Sequence, residues 1–127
     1  GFGHDFLQIV HPFLVFNLGD ELDALIITEQ PLPTGIFLKA KVIGVMKFVD
    51  DGEVDDKIVV VPADDRDTGN AYNSLEDLPK QLINQLNFHF SHYKDLKKAG
   101  TTVVESWGDV AEAKEVIKES IQRWKDL

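Results

Sequence analysis

Two acidic clusters contain the residue types best suited to chemistry. The first holds Asp20, Glu21 and Asp23, and the second places five carboxylates within residues 50–56, directly before Lys57. Each cluster lies beside a predicted β-strand, where side chains of adjacent strands can converge. Mg²⁺ takes carboxylate oxygens in proteins, usually together with waters and substrate phosphates. Two such cations can activate water and clamp the oxygens of an in-line displacement. The clusters therefore indicate a divalent-metal site, although an acidic turn is more often simply solvated.

Composition and motifs exclude several other kinds of site and partner. The chain has no cysteine, so a thiolate nucleophile, a disulfide or a cysteine zinc site is ruled out. The four histidines form no HExxH pattern, and the sequence has no Walker loop or Gly-x-Ser-x-Gly elbow. A net charge of -9 argues against nucleic acid as a partner, since phosphate binding needs clustered Lys and Arg. The apolar runs are shorter than the ~18 residues of a spanning helix. We therefore expect no membrane partner and a cytoplasmic location.

Hydrophobic periodicity predicts the strands that would position the clusters. Residues 24–27 form a short apolar run of strand length. Residues 36–49 alternate apolar side chains with lysines and predict a long strand, in which Gly44 marks a bulge or bend. Residues 57–61 predict the returning strand, and residues 101–105 a further short one.

Two helices are predicted from apolar residues at three- and four-residue spacing. The first begins near Pro79, and its apolar face comprises Leu82, Ile83, Leu86, Phe90 and Tyr93. In the second, Asp109 caps the N-terminus and Glu112 completes a capping box. Its predicted buried stripe comprises Ala113, Val116, Ile117, Ile121 and Trp124. Strands followed by helices predict one α+β domain over residues 1–127. It would be a small antiparallel β-barrel of the oligonucleotide-binding type, or a curled sheet, with the C-terminal helices packed against it.

Several short motifs, in one order, resemble those of the family I soluble inorganic pyrophosphatases. Gly19-Asp20-x-x-Asp23 before an apolar strand resembles the family's DGDPxD motif. The family's GxxKxxD…DxK segment is matched by Gly44, Lys47, Asp50, Asp55 and Lys57. Its C-terminal helical section is matched by Asp77-Leu78-Pro79, Phe90, Tyr93-Lys94-Asp95-Leu96, Trp107 and residues 111–113. The resemblance covers about residues 18–127.

This resemblance implies an enzyme that hydrolyses pyrophosphate to two phosphates with Mg²⁺ as cofactor. The implied Mg²⁺ ligands are Asp23, Asp50 and Asp55. Asp20 would be the general base that accepts a proton from the nucleophile. The implied phosphate-binding residues are Lys57, Tyr93 and Lys94. Pyrophosphate and phosphate would be the ligands, and a homo-oligomer, commonly a hexamer in bacterial members, the assembly.

The sequence departs from the family pattern at its front. Leu18 stands where the DGDPxD motif begins with a metal-ligating aspartate, and Glu21 stands where it has proline. Residues 1–17 are apolar, contain no Lys or Arg, and do not match the section that supplies further site residues in the family. A segment this apolar is expected to pack on the core or across a subunit interface. These departures keep open an alternative, a catalytically impaired fragment or relative acting as a metal-binding or assembly domain.

Overall fold

A computed structural model of the chain describes residues 7–10, 13–17, 22–28, 40–63 and 72–125. The strands in these ranges are β1 (Leu7–Val10), β2 (Phe13–Asn17), β3 (Asp23–Ile27), β4 (Ala40–Asp50), β5 (Glu53–Val54), β6 (Lys57–Pro62) and β7 (Thr102–Gly108). The α-helices are α1 (Lys80–His92), α2 (Asp95–Lys98) and α3 (Val110–Lys125), and a short 3₁₀ helix spans Leu75–Asp77. The predicted α+β class is therefore confirmed.

The seven strands form one mixed sheet with the order β1-β2-β3-β6-β4-β5, and β7 pairs with the other side of β4. Every pair is antiparallel except β3 with β6, which run parallel. The antiparallel expectation therefore fails at this one pair. Of the two predicted forms, barrel or sheet, the described strands make an open sheet that does not close on itself.

The predicted irregularity at Gly44 is present in β4. The register between β4 and β6 shifts between Val42 and Gly44, as in a β-bulge. A Cβ atom on Gly44 would lie 2.8 Å from the carbonyl oxygen of Gly108 and would also meet the side chain of Leu75. Glycine is therefore required here by close approach. Residues 29–39, which include the start of the predicted strand, lie outside the described part.

The central strands β3, β4 and β6 are largely buried on both faces. One cluster joins alternate strand residues to α1 and contains Leu25, Ile27, Ile43, Met46, Phe48, Val59, Val61, Leu78, Leu86 and Phe90. The other joins the intervening residues to α3 and contains Ala24, Ile26, Val45, Ile58, Val60, Ala113 and Val116. Because successive side chains of a strand point to opposite faces, α1 and α3 cover opposite faces of the sheet. Burial on both sides explains the unbroken apolar run of β6.

The helices largely follow the predicted faces. Asp109 caps α3, since its Oδ1 accepts the N–H of Glu112 at 2.9 Å. The stripe of α3 was wrong at Ile121, whose side chain is 51% exposed, whereas Ser120 is buried. Position 120 lies seven residues after Ala113 and therefore shares its face, while position 121 has turned away. The side chain of Trp124 lies outside the described part.

Part of the apolar N-terminal segment joins the sheet. β1 pairs with β2, and β2 pairs with β3, both antiparallel. These two strands therefore extend the sheet beyond β3, while the packing of their side chains stays a prediction. Residues 1–6 and 11–12 lie outside the described part.

Candidate functional site

Strand parity brings the second acidic cluster and Asp23 to one face of the sheet. In the parallel pair β3 and β6, Asp23 is the register partner of Lys57. Each residue lies two positions before an apolar residue of the α1-facing cluster on its own strand, so both point to the α1 face. Asp50, the last residue of β4, shares that face because it follows Met46 and Phe48 at two-residue spacing. The site therefore forms where β4 ends and β3 and β6 begin, near the C-terminal end of α1.

Lys57 is the centre of this group. Its side chain is almost completely buried, and its Nζ donates to Asp23 Oδ2 at 2.7 Å and to Asp55 Oδ2 at 3.2 Å. The two carboxylate oxygens are consequently no more than about 6 Å apart. Burial lowers the pKa of Lys57, but the hydrogen bond to Asp23 and the charge of Asp55 outweigh it and raise the pKa above 10.5. Lys57 therefore remains a cation at neutral pH.

The pKa of Asp55 is raised by its surroundings in this group. Burial raises the pKa of the Asp55 carboxyl, the charge of Lys57 lowers it, and the nearby carboxylates of Asp23 and Asp50 raise it again. The net direction is upward from 3.8. Asp50 is thus within electrostatic range of Asp55, while the convergence of the three aspartates on one cation stays a prediction.

Lys94 and Tyr93 complete the group from the end of α1. Lys94 Nζ forms a short hydrogen bond with Asp50 Oδ2, and this bond raises the pKa of Lys94. The Tyr93 ring packs against Phe48 and Phe90, with centroid distances of 6.5 and 5.7 Å. Burial, more than any nearby charge, raises the pKa of the Tyr93 hydroxyl.

The donor set fits a hard divalent cation, because three converging carboxylates outnumber the two lysines among them and offer only oxygen ligands. In the part of the chain that the structure describes, no three acidic or histidine groups already stand in a metal-holding arrangement. Their oxygens are instead turned towards the lysines.

Six predicted site residues thus come together, namely Asp23, Asp50, Asp55, Lys57, Tyr93 and Lys94. The seventh, Asp20, lies outside the described residues, as does Leu18. The chemical role of each residue stays a prediction.

Asp56 is a positioning residue that the sequence analysis missed. Its Oδ1 accepts the backbone N–H of Phe48 at 3.0 Å, and its Oδ2 accepts from Lys47 Nζ at 3.4 Å. The neighbouring Asp55 N–H donates to the Phe48 carbonyl at 2.8 Å. These bonds fix the turn that presents Asp55 and Lys57. In sequence, Asp56 is one more acidic residue of a turn, and only the strand register reveals its partner.

The two histidines of α1 have contacts of a different kind. His92 Nδ1 lies 2.8 Å from Asp95 Oδ2 on the surface, and the His89 ring packs against Phe90 and Tyr93. In the described ranges, no helix has the length and apolarity needed to cross a membrane.

An α+β scaffold that joins clustered carboxylates to lysines is typical of proteins whose ligands are divalent cations or anions. The sequence model of the inorganic pyrophosphatase family matches residues 16–125. The inorganic pyrophosphatase of Neisseria meningitidis serogroup B (strain MC58) is 78% identical over 106 residues, which cover 84% of this chain and 60% of that protein. The inorganic pyrophosphatase of Haemophilus influenzae is 76% identical over 108 residues, which cover 85% of this chain and 61% of that protein. The chain belongs to the inorganic pyrophosphatase family.

Solved structures agree with this assignment. A crystal structure of an inorganic pyrophosphatase from Neisseria gonorrhoeae superposes with a TM-score of 0.80 at 77% identity, covering 84% of this chain and 62% of that one. One from Coxiella burnetii gives a TM-score of 0.74 at 32% identity. The chain spans about 60% of the length of the curated relatives it matches first.

Proposed function

We propose that this protein hydrolyses inorganic pyrophosphate to two phosphates with Mg²⁺ held by Asp23, Asp50 and Asp55. The observation that carries the proposal is the contact of Lys57 with both Asp23 and Asp55. This contact places a candidate hydrogen-bond donor to phosphate beside candidate metal ligands. The cation, when bound, supplies positive charge against the polyanionic substrate and makes water more acidic.

The protein's own side chains divide the remaining work. Lys57, Lys94 and the Tyr93 hydroxyl donate hydrogen bonds to phosphate oxygens and stabilise the charge that builds on the leaving phosphate. Burial strengthens the Lys57 contact in particular, because charge-assisted bonds are stronger where water is excluded. We assign the acceptance of the proton from the attacking water to Asp20, on the family resemblance of the Gly19-Asp20-x-x-Asp23 motif.

Phosphate release from pyrophosphate, measured with and without Mg²⁺, tests this proposal. We expect Mg²⁺-dependent release, and a loss of more than about tenfold in Asp23→Asn, since altering even a partner of a metal ligand costs about 10–100-fold. Asp51→Asn is the matched control, because Asp51 is an exposed carboxylate of the second acidic cluster that pairs with the exposed Lys98. Absence of release under all conditions, with Mg²⁺ still bound, would support the alternative of a metal-binding or assembly domain.

We also propose a cytoplasmic homo-oligomer, with a hexamer as the form that the family resemblance implies. Two large apolar side chains near the end of α1, Phe88 and Leu96, are strongly exposed and would be covered in an assembly. Sedimentation equilibrium of the parent and of Leu96→Ser tests this. A purely monomeric parent at micromolar concentration would contradict it.

A further inference from the structure

We infer that Lys57 competes with the divalent cation for Asp23 and Asp55, and that an anion relieves this competition by drawing the ammonium group away. Anion binding and cation binding would then be coupled through one buried side chain. The inference deepens the proposed function and rests on it for the identity of the cation site.

The geometry places the ammonium group where a cation shared by the two carboxylates would compete with it. Lys57 Nζ lies 2.7 Å from Asp23 Oδ2 and 3.2 Å from Asp55 Oδ2, with a side-chain exposure of only 4%. The carboxylates themselves are 19% and 37% exposed, so solvent ions reach them from the open side. A divalent cation that used these oxygens would displace the lysine's hydrogen bonds or lie close to its positive charge. Either consequence weakens cation binding in the absence of an anion.

The surroundings of Lys57 limit where the ammonium group can go. Its Nζ lies 5.3 Å from the centroid of the Phe48 ring and 5.9 Å from that of Phe90. Aromatic faces attract a cation but accept no full hydrogen bond in place of a carboxylate. A phosphate oxygen can replace the carboxylate, because it accepts a full, charge-assisted hydrogen bond from the ammonium group. Lys57 therefore leaves its carboxylates at least cost when an anion is present.

Lys94 provides a contrast within the same site. Its side chain is 39% exposed, and its one ion pair with a described residue is with Asp50. A lysine with this exposure can exchange its carboxylate for water, so its release does not depend on an anion. The coupling is consequently assigned to Lys57 and not to the lysines of the site in general.

Binding of Mn²⁺, with no anion and then with inorganic phosphate, tests the inference. Isothermal titration calorimetry is performed on the parent chain, on Lys57→Met and on Lys98→Met. Methionine is unbranched and only one atom shorter than lysine, and it removes the charge. Lys98 is the matched control, because it is exposed and pairs only loosely with the exposed Asp51, at 3.5 Å. Without phosphate, we expect Lys57→Met to bind Mn²⁺ several-fold more tightly than the parent, and Lys98→Met to differ by less than about twofold. With phosphate, the advantage of Lys57→Met should shrink or disappear.

Equal or weaker Mn²⁺ binding by Lys57→Met without phosphate would overturn the inference, since Lys57 would then organise the carboxylates and not compete for them. Far-UV circular dichroism verifies folding, and Lys57→Gln, which is neutral but retains a hydrogen-bond donor, replaces Lys57→Met if that variant does not fold. If the parent binds Mn²⁺ and Lys57→Met binds it equally well, only the inference is refuted. Failure of both the parent and the variant to bind Mn²⁺ removes the proposed metal site as well.

Discussion

Tyr93 joins a packing surface to a charged site. Its ring contacts Phe48 and Phe90 of the core, while its hydroxyl senses the charges of Lys94 and Asp50. On its apolar spacing alone, Tyr93 would be a core residue of the first helix, yet its side chain is partly exposed at the helix end. The ring and the hydroxyl therefore have separable functions.

Tyr93→Phe separates them. The variant keeps the ring and removes one hydrogen-bond donor, so phosphate affinity in the presence of Mg²⁺ should fall about fivefold to tenfold, as for the loss of ~1 kcal/mol. The thermal midpoint should stay within about 2 °C of the parent. Calorimetry and thermal unfolding provide the two measurements, with Tyr93→Ala as the variant that loses both functions. Unchanged phosphate affinity in Tyr93→Phe would exclude the hydroxyl from the site.

At the scale of the element, the turn between β4 and β6 is held by Asp56. Asp56→Ala leaves the Phe48 N–H without its acceptor and should destabilise the chain by about 1–3 kcal/mol. Asp56→Asn retains an acceptor oxygen and loses only the ion pair with the partly exposed Lys47, so it should cost less than about 1 kcal/mol. Urea unfolding measures both. Equal costs for the two substitutions would show that the charge of Asp56, and not its hydrogen bond to Phe48, fixes the turn.

The bulge at Gly44 determines which face the end of β4 presents. Ile43, which the register shift leaves without a partner on β6, lies on the α1 face, and so do Met46 and Phe48, which breaks strict alternation. Asp50 follows Phe48 at two-residue spacing. Its position on the α1 face therefore depends on this one irregularity.

Gly44→Ala should destabilise the chain by about 1–3 kcal/mol, because its Cβ would overlap both the Leu75 side chain and the Gly108 carbonyl oxygen. In a Leu75→Ala background, the cost of Gly44→Ala should fall but not vanish, since the Gly108 carbonyl belongs to the backbone of β7. A double-mutant cycle in urea measures this coupling. If Gly44→Ala were neutral in both backgrounds, the close approach at Gly44 would be refuted.

Local periodicity predicted the elements better than their arrangement. The α1 face, the Asp109 cap and the Gly44 bulge depend on neighbouring residues, and sequence patterns record such relations directly. The parallel pairing of β3 with β6 joins residues that lie 34 apart, and nothing local specifies its direction. The buried state of Lys57 follows from that pairing. A lysine after an acidic run is more often solvated, and only the tertiary structure places it between two carboxylates.

At the scale of the whole molecule, the site residues come from separate parts of the chain. Asp23 belongs to β3, Asp50 and Asp55 flank the β4–β6 turn, and Lys94 follows α1. The acidic clusters indicated a cation site, whereas the family resemblance alone selected the three aspartates within them and added Lys57, Tyr93 and Lys94. Composition added one further indication of the ligand, because a net charge of -9 favours cations as partners.

Divalent cations should stabilise the whole molecule through the site and not through general screening of its negative charge. A cation that binds the folded chain alone adds about 2.7 kcal/mol at one hundred times its Kd, which corresponds to roughly 5–10 °C in thermal midpoint. We expect Mg²⁺ to raise the midpoint by this amount above that in NaCl of equal ionic strength. Asp23→Asn should lose most of the difference, and Asp51→Asn should keep it, since Asp51 is exposed and pairs only with Lys98 among the described residues. Differential scanning calorimetry provides the measurement. If Asp23→Asn kept the full increase, the stabilisation would come from screening of the net charge, and the carboxylate cluster would not be the cation site.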